Sequence, residues 1–311
     1  MLKKKAFRRI FFTTIIFFIV FVLLSIKKLE EPTNIYESNN YKTDYIENIW
    51  TLNDDNYVSK TSIYVNKELN VLEKVKVLIE TMIEENNNNS LLPTYFNPIL
   101  PRNTKILEVV LDKDLIKINF SKEFKNATEE QCEKMIEAIV YTLTDINGIN
   151  GVEIYVNNEL LKYIPNTSKV LPTILTKDIG INKIYNINGT NDILKVITYF
   201  LGNSKEINYV PVTSYLNTSK EKIEIIVENL TSIYSYDNSL IAPFDSNLKL
   251  VNYLLEDNKM FLEFNCFSCI EKDYLDLIVY SVFDNYEVDS IIFLENNQKI
   301  LEKFRKDTWK L

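Results

Sequence analysis

The stretch LDKDLIKINFSKEF, Leu111 to Phe124, recurs in outline at LEDNKMFLEFNCFS, Leu255 to Ser268. Each has two apolar runs around a polar turn, followed by a helical pattern and a further strand. This duplicated order constrains the fold most, because each copy must bury its own alternating face and so predicts its own core.

In the first copy, TKILEVVL and LIKINF around Asp112, Lys113 and Asp114 predict an antiparallel hairpin, with Ile116, Ile118 and Phe120 buried against a wet face of Leu115, Lys117 and Asn119. Thr128 and Gln131 fit a capping box, and Cys132, Met135, Ile136, Ile139, Val140 and Leu143 then fall on one helical face. GVEIYVN, Gly151 to Asn157, closes the unit. Ahead of it, IENIWTL and KTSIYV flank NDDN as a first hairpin. Val71, Leu72, Val75, Leu78, Ile79 and Met82 then stripe a helix capped by Asn70 and Glu73.

The second copy keeps that order. DILKVITYFL and INYVPVTSYL surround GNSKE; Thr218 and Glu221 cap a helix striped by Ile223, Ile226, Val227 and Leu230. LKLVNYLL and KMFLEF form the next hairpin, a helix with Tyr274, Leu275, Ile278, Val279 and Val282 follows, and SIIFLENN ends the unit. Tyr141 to Asn157 and Tyr280 to Asn296 are both spaced by 16 residues. Between the copies, PNTSKVLPTILTKDIGINKIYNING reads as a linker.

The N-terminus carries a different signal. Ile10 to Ile26 contains no charge, spans about 26 Å as a helix, and is flanked by Lys3, Lys4, Lys5, Arg8 and Arg9 before it and Lys27 and Lys28 after it. That predicts one membrane helix with its start in the cytoplasm and the remainder outside. A cleaved signal peptide is the competing reading, but the run ends in VLLSI without a small-residue cleavage motif. Leu29 to Asp44 is polar and aperiodic, a juxtamembrane tether.

The first 28 residues hold seven basic and no acidic residues, so the exterior part carries 28 positive against 43 negative charges, a net of −15. Such a surface repels nucleic acid and anionic lipid. The Asn-rich, Gly-poor composition reads as codon bias.

Histidine is absent, which removes imidazole bases, His metal ligands and His-dependent nucleophiles. The pairs Asp54 and Asp55, Glu84 and Glu85, and Glu129 and Glu130 fall in loops or helix starts, where solvated charge accounts for them. No Gly-rich phosphate loop, GxSxG or HExxH occurs. We therefore expect no catalytic, cofactor-binding or metal-binding residues and no cofactor. The exception in chemistry is CFSC, Cys266 to Cys269, between KMFLEF and a helix expected to begin with Ser268 and Glu271. Strand, CxxC and helix is a redox layout, but outside the cytoplasm the pair can equally be an oxidised staple or two packed thiols. Cys132 reads as core.

LPRNTKILEVVLDKDLIKINFSKEF, with the helix ending AIVYTLTDINGINGVEIYVNN, resembles the GerM (GerMN) sporulation and spore germination domain family. The family's Leu-Pro-x-x-Thr entry, Asn-Phe-Ser segment and terminal strand fall on Leu100, Pro101 and Thr104, on Asn119, Phe120 and Ser121, and on Val156, Asn157 and Asn158. YVPV, Tyr209 to Val212, is similar to the family's entry hairpin, whereas Ala242, Pro243 and Phe244 replace the Leu-Pro entry in the second copy. Cys266 stands where the family prefers a small polar residue. Family members are often lipoproteins; Ser25 and Ile26 stand where a lipidated Cys would be expected, so a protein anchor would replace the lipid. The resemblance implies compact modules that stack in envelope assemblies, with no catalytic residues to carry over.

The expected fold is α/β (α+β): two tandem modules, each a mixed or antiparallel sheet with two packed helices, after an N-terminal transmembrane helix. The expected boundaries are 1–28 for the basic end and anchor, 29–44 for the tether, 45–165 for module one, 166–190 for the linker and 191–311 for module two. The expected function is non-catalytic, extracytoplasmic binding or assembly in sporulation or germination complexes. Partners would be envelope or sporulation-complex proteins, self-association included, with the membrane held by the N-terminal helix and no nucleic acid. Alternatives are a peptidoglycan- or ligand-binding cell-surface module and a thiol-disulfide oxidoreductase using Cys266 and Cys269.

Overall fold

The computed structural model describes residues 44–66, 69–203, 208–232 and 239–308. The anchor expected over 10–26, the basic end and nearly all of the tether lie outside them. Among the described residues no helix is long and apolar enough to cross a membrane.

Module one opens with β1 (Asp44–Asn53) and β2 (Val58–Asn66), paired antiparallel through Leu52 and Val58. Helix α1 (Val71–Thr81) follows, with the expected reciprocal cap between Asn70 and Glu73. Short β3 (Phe96–Asn97) joins β1, and β4 (Ile106–Asp112) and β5 (Leu115–Phe120) form the expected hairpin. Helix α2 (Glu129–Thr144) crosses over to β6 (Gly151–Val156), which pairs parallel to β5 and antiparallel to β7 (Glu159–Leu160).

Module two repeats this. β9 (Ile193–Gly202) and β10 (Tyr209–Asn217) form its first hairpin, flanked by β8 (Ile184–Asn186) and β11 (Leu240–Ile241). Helix α3 (Lys222–Thr231), the hairpin β12 (Leu250–Glu256) and β13 (Lys259–Phe264), helix α4 (Leu275–Asn285), β14 (Ser290–Glu295) and β15 (Gln298–Phe304) complete it, and α5 (Arg305–Thr308) follows. β13 and β14 are parallel, as β5 and β6 are.

The single sheet expected per module is corrected to two. Module one has β2-β1-β3 and β4-β5-β6-β7; module two has β11-β9-β10-β8 and β12-β13-β14-β15. A helix accounts for the separation. The backbone N–H of Trp50 in β1 donates to Thr142 Oγ1 of α2 at 2.9 Å, and that of Tyr199 in β9 donates to Ser281 Oγ of α4 at 2.9 Å. A helical hydroxyl thus takes an edge donor that another strand would otherwise claim.

Two hydrophobic cores result, one running from Ile49 to Ile181 and one from Val196 to Phe293. The expected apolar stripes are inside: Leu78, Ile79, Met135, Ile139, Ile226, Leu230, Ile278 and Val282 are all buried. The connection 166–190 is itself structured, because β8 pairs parallel to β10 and Ile181 is fully buried.

Three capping expectations change. Thr128 Oγ1 accepts the Gln131 N–H, but the Gln131 amide reaches Ile99 O at 3.0 Å instead of returning to the cap. Glu221, not Thr218, caps α3, in a box with Glu224. Helix α4 begins at Leu275, after two 3-10 turns at Phe267–Cys269 and Lys272–Tyr274, so Ser268 and Glu271 start no α-helix.

Asparagine has a structural use as well as a compositional origin. Among the described residues nine of the thirteen non-glycine positions with positive φ are Asn. The pairs Asn157 and Asn158, Asp257 and Asn258, and Asn296 and Asn297 have φ of 49–67°, which two-residue hairpin turns require and short amide or carboxylate side chains tolerate.

Candidate functional site

The two modules meet along β2 and β10, and residues Ile181 to Lys183 stitch them together. Asn182, at φ 46°, donates from Nδ2 to Val58 O at 2.7 Å and to Pro211 O at 2.8 Å, and its Oδ1 accepts the Val58 N–H at 3.0 Å. Its own N–H donates to Glu137 of α2 at 2.9 Å. Next to it, Thr213 exchanges two 2.9 Å bonds with the backbone of Ile181. Lys183 pairs with Glu137 and, at 3.0 Å, with Glu133. Burial alone would push its ammonium down, but these carboxylates hold its pKa above the usual lysine value. At the end of β1, Asp55 accepts the Asn203 N–H at 2.8 Å.

A second cluster joins the helices to the first hairpins. Asp145 of module one accepts Trp50 Nε1–H at 2.9 Å and pairs with Lys60 at 3.2 Å and with Lys177. Asp284 of module two accepts Tyr199 OH at 2.7 Å. The Trp50 ring meets Tyr141 edge-on at 5.2 Å, and the Tyr199 ring meets Tyr280 at 5.5 Å. Burial opposes charge on Asp145, yet Lys177, Lys60 and the indole donor hold its pKa below the usual carboxylate value. Desolvation by the atoms packed around the Asp284 carboxyl pushes its pKa up, resisted mainly by Lys177.

Sequence reasoning missed this cluster. The signal was there in YTLTD, Tyr141 to Asp145, and YSVFD, Tyr280 to Asp284, which place a tyrosine, a hydroxyl and an aspartate in the same frame.

Cys266 and Cys269 are disulfide-bonded, with Cα atoms 5.4 Å apart. They lie in the loop after β13, and α4 starts six residues beyond Cys269, so neither sulfur sits at an α-helix N-terminus as the redox layout required. Cys132 is a buried free thiol whose pKa burial pushes up. Of the carboxylate pairs, Glu85 binds Arg102, Asp54 accepts from Asn97, and Glu130 binds Lys134. No group of three or more Cys, Asp or Glu among the described residues is placed to hold a metal ion.

Two edge strands carry exposed apolar side chains. β4 and β12 each end a four-stranded sheet. β4 exposes Leu107, Val110 and Leu111, while β12 exposes Val251, Tyr253, Leu254 and Leu255. Apolar edges of this kind offer both side chains and backbone groups to another chain.

Known proteins share this fold and part of the sequence. Residues 48–162 match the family described as Germane, sporulation and spore germination. The spore germination protein GerM of Bacillus subtilis (strain 168) is 26% identical over 247 residues, which cover 77% of this chain and 66% of that protein; the match thus spans about two thirds of the relative. The solved tandem GerMN domains of the sporulation protein GerM from B. subtilis superpose with a TM-score of 0.73 at 24% identity, covering 82% of this chain and 92% of that one. The chain thus has the tandem α/β fold of the GerMN domains. Residues 48–162, which span most of module one, belong to the Germane sporulation and spore germination family.

Proposed function

We propose that this chain is a non-catalytic binding or assembly protein of a sporulation or germination envelope complex, held in the membrane by residues 10–26 and displaying both modules outside the cytoplasm. The observation that carries this reading is the pair of exposed apolar edge strands, β4 and β12, presented by two modules fastened through Asn182 and Lys183. The spore germination name of its relative supports the setting. The charge of the N-terminal flanks supports the topology.

The test is genetic and chemical. Deleting the gene in its own host should lower the yield of heat-resistant spores or slow their germination, with restoration by the full chain but not by one lacking residues 1–28. A photo-crosslinking residue at Leu107 or Leu254 should trap envelope proteins. Normal sporulation and germination in the deletion strain would overturn the reading.

A further inference from the structure

Module two leaves open a place that module one closes. Val109 faces Ile118 across the β4–β5 ladder as Tyr253 faces Leu262 across β12–β13, so the two edge strands are equivalent. In module one α1 lies against β4, and Ile106 and Val109 pack on the core. In module two α3 stands off from β12, and of that strand only Leu250 joins the core.

The gap is a groove of about 380 Å³, with Val227, Leu248, Leu250 and Tyr253 among its apolar walls and Glu224 and Glu228 on its helical rim. Directly opposed strand residues share a face, so Tyr253 and Leu255 point the same way as buried Leu262 and Met260; yet they are 37% and 55% exposed.

The backbone is equally available. The turn at Asp257 and Asn258 makes Glu256 and Lys259 the closing pair of the hairpin, and ladder alternation then turns the N–H and C=O of Tyr253 and Leu255 away from β13. Over one of these donors lies a light cover: Asn252 Oδ1 accepts the Tyr253 N–H at 3.0 Å.

Charge selects the occupant. Lys220 and Glu228 pair with one another, which leaves Glu221 and Glu224 against Lys249 along this rim. After desolvation, Glu224 and Glu221 raise the Tyr253 pKa, so their field reaches the strand. A second copy pairing antiparallel through β12 would put both α3 helices on one face of the joined sheet, with these acids confronting one another.

We propose that the open edge of β12 receives an extended segment of a partner protein by strand addition, with apolar side chains at alternate positions seated in the groove and Lys or Arg facing the rim of α3. The proposal deepens the binding and assembly reading above and rests on it.

The test uses the full chain in mild detergent with two end-blocked octapeptides, one alternating Val and Lys and one alternating Val and Glu. The Lys peptide should bind and slow hydrogen exchange at Tyr253 and Leu255, and the Glu peptide should bind about tenfold more weakly or not at all. Leu255→Pro removes an outward donor without touching the ladder to β13, so it should abolish binding while Leu254 stays protected. Glu228→Lys should weaken binding of the Lys peptide, and Asn252→Ala, which uncovers the Tyr253 N–H, should strengthen it. Equal affinity for both peptides, binding unchanged by Leu255→Pro or by Asn252→Ala, or a dimer that Leu255→Pro dissolves would overturn the proposal. Loss of peptide binding with a sporulation defect intact would remove the edge alone, whereas peptide binding without any deletion phenotype would remove the broader reading.

Discussion

Trp50 and Tyr199 occupy the same place in the two modules. Each gives its backbone N–H to a hydroxyl of the facing helix, Thr142 or Ser281, and its side-chain donor to an aspartate three residues later, Asp145 or Asp284. The duplication therefore extends from the order of the elements to individual hydrogen bonds.

Replacing Thr142 with Val leaves a buried amide without its acceptor. The expected loss is about 1–3 kcal/mol of stability, with Ser281→Ala close to it and Thr142→Ser near neutral. Urea unfolding checks this, and equal midpoints for Thr142→Val and the parent would refute it.

Acid should loosen the contact of α2 with the first hairpin. The pKa of Asp145 is depressed in the folded state, so its contribution is present above the ordinary unfolded value near 4 and is lost as pH falls through the lower folded value. Asp145→Asn should flatten that part of the stability profile and lower stability at neutral pH, because the ion pairs with Lys60 and Lys177 are lost. An Asn variant with the parent's acid profile would show that other groups govern it.

Asn182 combines a left-handed backbone with three side-chain bonds. Asn182→Gly keeps the conformation and loses the bonds; Asn182→Ala loses both, and should be less stable than the Gly variant by about 1 kcal/mol. In both, exchange at the Val58 amide should quicken. Unchanged protection there would mean that the modules hold together without this bridge.

The Cys266–Cys269 bond closes a very short loop, so breaking it should cost only about 2 kcal/mol by chain entropy. Cys266→Ser with Cys269→Ser should fold normally and melt slightly lower. The parent should not accelerate insulin reduction by dithiothreitol; acceleration that the double variant lacks would restore the oxidoreductase reading.

Much of the fold was legible because its apolar residues recur with strand and helix periods, although Asn119, expected on the wet face of β5, is buried. Ile116, Ile118 and Phe120 alternate inward along β5, and Cys132, Met135, Ile136 and Ile139 recur at helical spacing, so local pattern alone located both elements. The split into two sheets was not legible, since it depends on Thr142 meeting Trp50 across 92 residues. Nor was the late start of α4: the acidic and hydroxyl residues after Cys266 imitate a cap, but the chain first spends two 3-10 turns there. Asn182 was hidden in an aperiodic stretch, because its value lies in backbone geometry and in carbonyls contributed by two other strands. The open groove beside β12 was equally hidden, since strands β4 and β12 read alike and only the stand-off of α3 distinguishes them.

The strand-to-helix bonds also set an order of events during synthesis. Hairpins closed by Asn turns are local and form within microseconds of leaving the ribosome, whereas Trp50 must wait for Thr142, 92 residues later, and Tyr199 for Ser281, 82 residues later. Each module consequently locks only when nearly all of it has emerged. Module one can finish while module two is still being made, so nascent module two meets a completed neighbour.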